Sequence, residues 1–113
     1  MQPVDAHGLD GGSSEGYIFD MKFEWHARKS EDCFQNRGFD FTYAARAFLD
    51  PNRTVRKDDR YDYEESRYLL MGKIDARLFC IVYTMRNGVI RIISARKANV
   101  REAKLYEKNL NDR

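Results

Sequence analysis

The dipeptide Asn87-Gly88 constrains this chain more than any other short feature, because it lies between two runs typical of β-strands. The runs are Arg77–Arg86 and Val89–Ala95, and both are rich in β-branched and aromatic residues. Asn-Gly is the preferred pair for a two-residue hairpin turn. A weaker two-residue turn, Asp75-Ala76, connects the first run to Arg67–Ile74. The sequence therefore predicts three consecutive antiparallel strands.

Two-residue turns also predict the pairing of these strands, since residues are counted back from each turn. Thr84 is expected opposite Arg91 on one side and Arg67 on the other. The further predicted pairs are Arg86 with Val89, Val82 with Ile93, Leu69 with Val82, and Ile74 with Arg77. An unpaired arginine is costly to bury, so we expect this row, with Arg86 at its rim, to meet water, carboxylates or an anion.

Side chains alternate between the two faces of a strand, so the same counting assigns the faces of the sheet. The predicted core face carries Tyr68, Leu70, Ile74, Phe79, Ile81, Tyr83, Met85, Ile90 and Ile92. The predicted opposite face carries Leu69, Met71, Cys80, Val82, Ile93 and Ala95 and ends in the arginine row. Two helices that precede these strands are the natural cover for the core face.

Helix signals lie on both sides of the strands. A helix is predicted from His26 to Arg37, with Gly38 as the left-handed residue that ends it. Asp40 is a cap for a second helix, which Pro51 ends. Near the C-terminus, Asn99 and Glu102 form a capping box for a helix whose predicted buried stripe is Val100, Ala103, Tyr106 and Leu110. With a short strand at Lys22–Trp25, the fold class is α+β: an antiparallel sheet of about four strands, two N-terminal helices packed on one face, and a C-terminal helix.

The first 20 residues differ in composition from the rest of the chain. Four of the seven glycines lie in residues 1–16, together with Ser13 and Ser14. Such a segment has little apolar surface to offset its ordering entropy. We therefore expect residues 1–20 to be a disordered N-terminal extension or tag, and residues 21–113 to form the single folded domain.

Charge is distributed unevenly along the chain. Residues 1–20 hold four acidic residues and no Lys or Arg, which leaves residues 21–113 with a formal charge of +6. Residues 86–113 alone carry +5. A basic excess of this kind favours a polyanionic partner such as RNA, although a solvated surface is an equally good explanation of charge alone.

Several kinds of site are excluded by the residues available. Cys33 and Cys80 match no metal-ligand spacing, and in the absence of an export signal they indicate reduced thiols of a cytoplasmic protein. His26 is the single histidine of residues 21–113 and is expected to be structural, so neither a histidine triad nor a multi-histidine metal site is predicted. No phosphate-binding glycine loop and no membrane-spanning run is present, and no metal or other cofactor is expected.

Metal-free RNA cleavage stays possible, because RNA supplies its own 2′-OH nucleophile. The protein must then bind the phosphate charge, for which Arg67 and Arg91 are the candidates, and move protons, for which Glu65 is the first candidate and Tyr63 the second. The candidate RNA-binding residues are Thr84, Arg86, Arg96, Lys97, Arg101 and Lys104. The alternatives are that Glu65 and Arg67 form a structural ion pair, and that Arg96-Lys97 only caps a strand.

Blocks along the whole of residues 21–107 resemble one family. They are Phe23-Glu24-Trp25, Ala44-Ala45-Arg46, Asp59-Arg60-Tyr61-Asp62-Tyr63, Val82-Tyr83-Thr84, and the specific run Arg91-Ile92-Ile93-Ser94-Ala95-Arg96-Lys97-Ala98. This series is similar to the BrnT family of type II toxins. The chain departs from that family's usual pattern at His26, Ala27, Arg37 and Glu64.

The resemblance implies a RelE-like ribonuclease fold and growth arrest by RNA cleavage. It also implies neutralisation by a BrnA-like ribbon-helix-helix antitoxin, with contact to operator DNA only through that antitoxin. Two functions stay open at this point. One is a metal-independent endoribonuclease; the other is a catalytically weak or inactive binding protein that acts through its antitoxin complex in operon repression.

Overall fold

The computed structural model describes residues 12–60 and 64–112. The strands are β1 (Ser13–Ile18), β2 (Met21–His26), β3 (Thr54–Lys57), β4 (Tyr68–Ile74), β5 (Arg77–Arg86) and β6 (Val89–Lys97). The helices are α1 (Ala27–Arg37), α2 (Phe41–Ala44), which continues as a 3-10 helix over Ala45–Leu49, and α3 (Val100–Asn111).

All six strands of the described residues join one sheet in the order β1-β2-β6-β5-β4-β3. The α+β class is confirmed, but the predicted number of about four strands is wrong. The sheet is also mixed rather than antiparallel, because β2 runs parallel to β6, with Glu24 beside Arg91. This parallel pair joins segments far apart in sequence, so no local turn signal marks it.

The additional strand β1 lies in the segment expected to be disordered. Ser13–Ile18 pair antiparallel with β2, from Ser13 opposite His26 to Ile18 opposite Met21. The expectation of disorder is therefore wrong for these residues, while residues 1–11 lie outside the described ones. Ser13–Ile18 pair along β2, which makes β2 an interior strand. Backbone pairing orders this segment, and Ile18 also packs against the core.

The predicted hairpin register is confirmed near both turns. Asn87 and Gly88 have φ of 53° and 79°, and Thr84 pairs with Arg91. Leu69 pairs with Val82 and Ile74 with Arg77. The register shifts further along β6, however: Val82 pairs with Ser94, so Ile93 is the extra residue of a β-bulge.

The bulge changes which side chains of β6 lie on each face. Ala95 pairs with Ile81 in the core, whereas unbroken alternation predicted it on the opposite face. Arg96 pairs with Cys80 and lies on the face opposite the core, and Lys97 pairs with Phe79 on the core side. The predictions of Ile93 opposite Val82 and of Ala95 outside the core are therefore wrong.

Helices α1 and α2 cover the core face of the sheet, as predicted, but they follow two strands and are not N-terminal elements. Gly38 ends α1 with φ of 87°, and the Asp40 carboxylate accepts a hydrogen bond from the Tyr43 N–H at the start of α2. The core between these helices and the sheet consists of Phe23, Trp25, Cys33, Phe39, Phe41, Ala44, Ala45, Ala47, Phe48, Leu70, Ile74, Phe79, Ile81, Ile92 and Ala95. Met85, predicted in this core, is exposed at the end of β5.

The C-terminal helix α3 covers part of the opposite face, where Tyr106 packs with Met71, Leu78 and Cys80. Its capping box between Asn99 and Glu102 is present as predicted. Ala103 and Leu110 also contact this cluster, but Val100 is 71% exposed, so its assignment to the buried stripe is wrong.

A buried hydrogen bond joins α3 to the rest of the domain. The Tyr106 hydroxyl donates to the Asp50 carboxylate at 2.5 Å, and the backbone N–H groups of Lys73 and Asn52 donate to the same carboxylate. Desolvation raises the pKa of Asp50, but the hydrogen bonds together outweigh it and the pKa is lowered. No helix among the described residues is long and apolar enough to cross a membrane.

Candidate active site

Arg91 lies on β6, between β2 and β5, and its positive charge is paired with a carboxylate. Its Nη1 donates to the Glu24 carboxylate of the parallel strand β2 at 3.2 Å. Both side chains are largely buried, with exposed fractions of 17% and 26%. A guanidinium has five N–H donors, so this contact leaves donors on Arg91 that can bind a phosphate. Glu24 is a site residue that sequence reasoning missed, because its contact depends on the non-local pairing of β2 with β6.

Thr84 lies opposite Arg91 as predicted, but it is only 2% exposed. Its hydroxyl donates to the backbone carbonyl of Ser66 at 2.6 Å. This hydrogen bond joins Thr84 to the segment before β4, and the hydroxyl proton is already donated to the Ser66 carbonyl. Arg67 stands one residue before the β4 ladder, which begins at Tyr68 opposite Tyr83.

Glu65 contacts Arg86 rather than Arg67. The Nε and Nη2 atoms of Arg86 donate to the two carboxylate oxygens of Glu65, each at 3.2 Å. This hydrogen bonding is the main cause that lowers the pKa of Glu65, and the positive charges of Arg86, Arg67 and Arg91 lower it further. Glu65 is outside β4, so the two-residue alternation that predicted its direction does not apply there. Tyr63, the second candidate for proton transfer, lies outside the described residues.

Lys29, in the first turns of α1, is a second residue that sequence reasoning missed. Its side chain is exposed at the surface, but partial desolvation is the main cause that lowers its pKa, and the positive charges of Arg67 and Arg91 add to the effect. A lysine with a lowered pKa is better matched to proton transfer near neutral pH than an ordinary one. No local motif signals this lowered pKa, because it follows from the packing of α1 beside the sheet.

These contacts bring six charged side chains together at one end of the sheet. We call them the charged cluster: Glu24, Lys29, Glu65, Arg67, Arg86 and Arg91. Four cations and two carboxylates give the cluster a formal charge of +2. His26 follows Glu24 by two residues on β2, and its buried Nδ1 makes no hydrogen bond within the described part of the chain.

A cavity of about 310 Å³ lies on the same face of the sheet as the charged cluster. Leu69, Val82 and Ser94 contribute to its lining, with Arg96 and Glu102 on one side and residues 56–60 on the other. Arg96 makes a two-hydrogen-bond ion pair with Glu102, at 2.8 and 2.7 Å. That pair lowers the pKa of Glu102 to about 2. Burial raises the pKa of the neighbouring Cys80 to about 12, so its thiol is unreactive at neutral pH.

The remaining predicted RNA-binding residues do not gather at the charged cluster. Lys97 lies on the core side of the sheet, next to Phe79. Arg101 and Lys104 are exposed on α3. Within residues 12–60 and 64–112, no group of three or more His, Cys, Asp or Glu is placed to hold a metal ion.

A comparison with protein families finds one model that matches residues 25–102, described as the ribonuclease toxin BrnT of type II toxin–antitoxin systems. The match includes Arg67, Arg91 and most of the sheet, and it begins after β1. No curated protein matches the chain.

Proposed function

The chain belongs to the BrnT family of ribonuclease toxins of type II toxin–antitoxin systems, and from that membership we propose that it cleaves RNA in the cytoplasm without a metal ion. In the proposed reaction the RNA 2′-oxygen forms a bond to the adjacent phosphorus. The bond from phosphorus to the 5′-oxygen breaks, which leaves a 2′,3′-cyclic phosphate and a 5′-hydroxyl. A family of ribonuclease toxins does not favour the alternative of an inactive binding protein.

The observation that carries this proposal is the charged cluster. Arg91 lies on β6 opposite the buried Thr84, and Arg67, just before β4, is close enough to act with Arg91 on the charges of Lys29 and Glu65. Planar guanidinium groups match the oxygens of a phosphate, and fixed cations stabilise the extra charge that develops in the transition state. Glu24 and Glu65 hold Arg91 and Arg86 in place before RNA binds.

Two groups of the cluster are the candidates for the two proton transfers. The Glu65 carboxylate is the first candidate to accept the proton of the 2′-OH; Arg86 lowers its pKa, which keeps it ionised and makes it a weaker base than an ordinary glutamate. Protonated Lys29 donates a proton to the departing 5′-oxygen, and its lowered pKa makes that transfer easier than from an ordinary lysine. Tyr63 stays the second candidate for one of these steps.

Membership of a type II system implies an antitoxin partner. We propose that this partner is a BrnA-like ribbon-helix-helix protein, which covers the face of the sheet that carries the charged cluster. In the complex, operator DNA is contacted only by the antitoxin. The cavity lined by Leu69 and Val82 beside Arg96 offers both apolar surface and charge to such a partner.

The experiment is to compare RNA cleavage by the wild type and by Arg91→Ala in the presence of EDTA. Loss of one charge-stabilising group is expected to reduce cleavage by roughly 10²–10³-fold, and Arg91→Lys should restore little because a point charge does not replace the planar fork. Arg46→Ala is the matched control, since Arg46 is an exposed arginine on the 3-10 helix, 3.9 Å from Asp75. It should cleave as the wild type does.

Three results would contradict the proposal. Full activity of Arg91→Ala with unchanged thermal stability would show that the site is elsewhere, with Arg96, Lys97 and Arg101 next to be tested. Loss of wild-type cleavage in EDTA would show that a metal ion takes part. Cleavage of an RNA that carries 2′-deoxyribose at the cut position would show that the 2′-OH is not the nucleophile.

A further inference from the structure

A second cavity, of about 430 Å³, opens on the core side of the sheet and is not part of the charged cluster. It lies between the C-terminal end of α1, the start of β5 and the end of β6. Its volume is within the roughly 300–1,000 Å³ usual for sites that bind small molecules. We call it the aromatic pocket, after Phe34, Phe39, Tyr43 and Phe79 in its lining.

The aromatic rings of this pocket are fixed by their own contacts. Phe79 packs edge-on against Phe39 at 5.0 Å and against Tyr43 at 5.8 Å between ring centroids. Phe34, by contrast, is 50% exposed at the rim. The pocket therefore has a rigid aromatic floor and one ring that is open to a flat ligand.

Three cations line the same pocket: Arg37, Arg77 and Lys97. Arg77 and Lys97 are exposed, and neither makes an ion pair with another residue in the described part of the chain. Asp40 is the one carboxylate in the lining, and it accepts a hydrogen bond from the Tyr43 N–H at the start of α2. The lining thus carries a formal charge of +2 and offers cations to an anionic ligand.

We propose that the aromatic pocket binds one nucleotide of a single-stranded RNA, away from the nucleotides at the cut. A nucleotide joins a flat π-face to a phosphate, and this combination matches an open phenylalanine beside two unpaired cations. The proposal rests on the RNA-cleaving function proposed above. It deepens that function by adding a second contact point for the substrate.

The distance between the aromatic pocket and the charged cluster decides whether the pocket contributes to RNA affinity or to the chemical step. Arg77 at the pocket begins β5, and Arg86 of the charged cluster ends it nine residues later. At a rise of about 3.3 Å per residue, the two ends of β5 are roughly 30 Å apart. Groups at the pocket therefore contact RNA several nucleotides from the reacting phosphate, and they contribute to affinity rather than to the chemical step.

The test measures binding without cleavage. The probe is a fluorescein-labelled single-stranded RNA of about 12 nucleotides, within the site sizes of such proteins, methylated at every 2′-oxygen so that no nucleophile is present. Fluorescence anisotropy gives Kd for the wild type, Phe34→Ala, and the double variant Arg77→Ala/Lys97→Ala over a range of salt concentrations. Phe34, Arg77 and Lys97 are all exposed, so these changes leave the core intact.

Phe34→Ala should raise Kd by roughly 5-fold or more, the usual effect of losing one base–aromatic stack, without changing the salt dependence. The double variant should flatten the slope of log K against log salt by about 0.7, because the pocket holds the phosphate of one nucleotide and each phosphate contact on a single strand contributes about 0.7. The controls are Phe19→Ala, an exposed aromatic outside the pocket, and Lys73→Ala, a surface cation paired with Glu107. Both controls should bind as the wild type does.

Wild-type Kd and salt slope in the pocket variants would overturn the proposal, and would leave the cleavage test of Arg91 unaffected. Loss of antitoxin binding by the same variants, with RNA binding unchanged, would also overturn it and would assign the pocket to the antitoxin. Conversely, pocket variants that lose affinity while wild-type protein fails to cleave unmodified RNA would support the pocket and refute the nuclease.

Discussion

The hydrogen bond from Tyr106 to Asp50 predicts a measurable, pH-dependent loss of stability in Tyr106→Phe. Tyr106 is 2% exposed, and its ring packs in the cluster with Met71, Leu78 and Cys80. Phenylalanine keeps that ring and removes only the hydroxyl, which donates to the Asp50 carboxylate at 2.5 Å. The variant therefore isolates one buried hydrogen bond.

Hydrogen bonds to a charged group contribute about 1.5–3 kcal/mol, more than those between neutral groups. Asp50 keeps two backbone donors in the variant, from Lys73 and Asn52, so the carboxylate is not left without partners. We expect the free energy of unfolding of Tyr106→Phe to fall by about 1.5–2 kcal/mol at pH 7, near the lower end of that range.

The sign of the pH dependence follows from the lowered pKa of Asp50 in the folded protein. Such a group stabilises the fold above its unfolded pKa of about 3.9, and that contribution is lost as pH falls through the folded pKa. Removing the Tyr106 hydroxyl raises the folded pKa toward the unfolded value. The difference between wild type and variant should therefore be full above about pH 5 and shrink below about pH 4.

Urea unfolding followed by circular dichroism at pH 7 and at pH 3 measures both effects, and an unchanged m-value confirms that the comparison is valid. Tyr43→Phe is the matched control, because the Tyr43 hydroxyl makes no hydrogen bond within the described residues. It should change stability by less than about 0.5 kcal/mol. A loss below about 0.5 kcal/mol for Tyr106→Phe, or one that is equal at both pH values, would refute the reasoning.

Two further predictions concern backbone contacts. Gly72→Ala should lower the free energy of unfolding, measured in urea, by about 1–3 kcal/mol or more. The reason is that the new Cβ would lie 2.4 Å from the Ala47 backbone oxygen. Near-wild-type stability would mean that the 3-10 helix can move aside. Deletion of residues 1–20 should lower the melting temperature by several degrees, the scale of about 1 kcal/mol, since Ser13–Ile18 pair along the whole of β2; an unchanged melting temperature would show that this pairing adds no stability.

The parts of the fold that the sequence predicts well are those fixed by near neighbours. Asn87-Gly88 sets the pairing of Thr84 with Arg91 because the turn and the strands are contiguous, and Asn99 with Glu102 caps α3 within one helical turn. These features need no knowledge of the rest of the molecule.

Non-local packing accounts for what the sequence does not predict. Glu24 reaches Arg91 only because β2 lies parallel to β6, and Lys29 acquires its lowered pKa only after α1 packs beside Arg67. The pairing of Glu65 with Arg86 arises because residues 64–67 leave the strand conformation in which alternation holds. The arginine positions follow from counting along strands, whereas their carboxylate partners follow from the assembled sheet.

The bulge at Ile93 reverses, for the rest of β6, which residues lie on each face of the sheet. Arg91 and Arg96 are five residues apart, an odd number, and would face opposite ways on an unbroken strand. The extra residue returns both arginines to one face and sends Lys97 to the other, beside Phe79. One inserted residue thus divides three cations of a single strand between the two surfaces. Deletion of Ile93 would remove the bulge and still leave Arg96 and Lys97 on their present surfaces, because Arg91 and Arg96 would then be four residues apart.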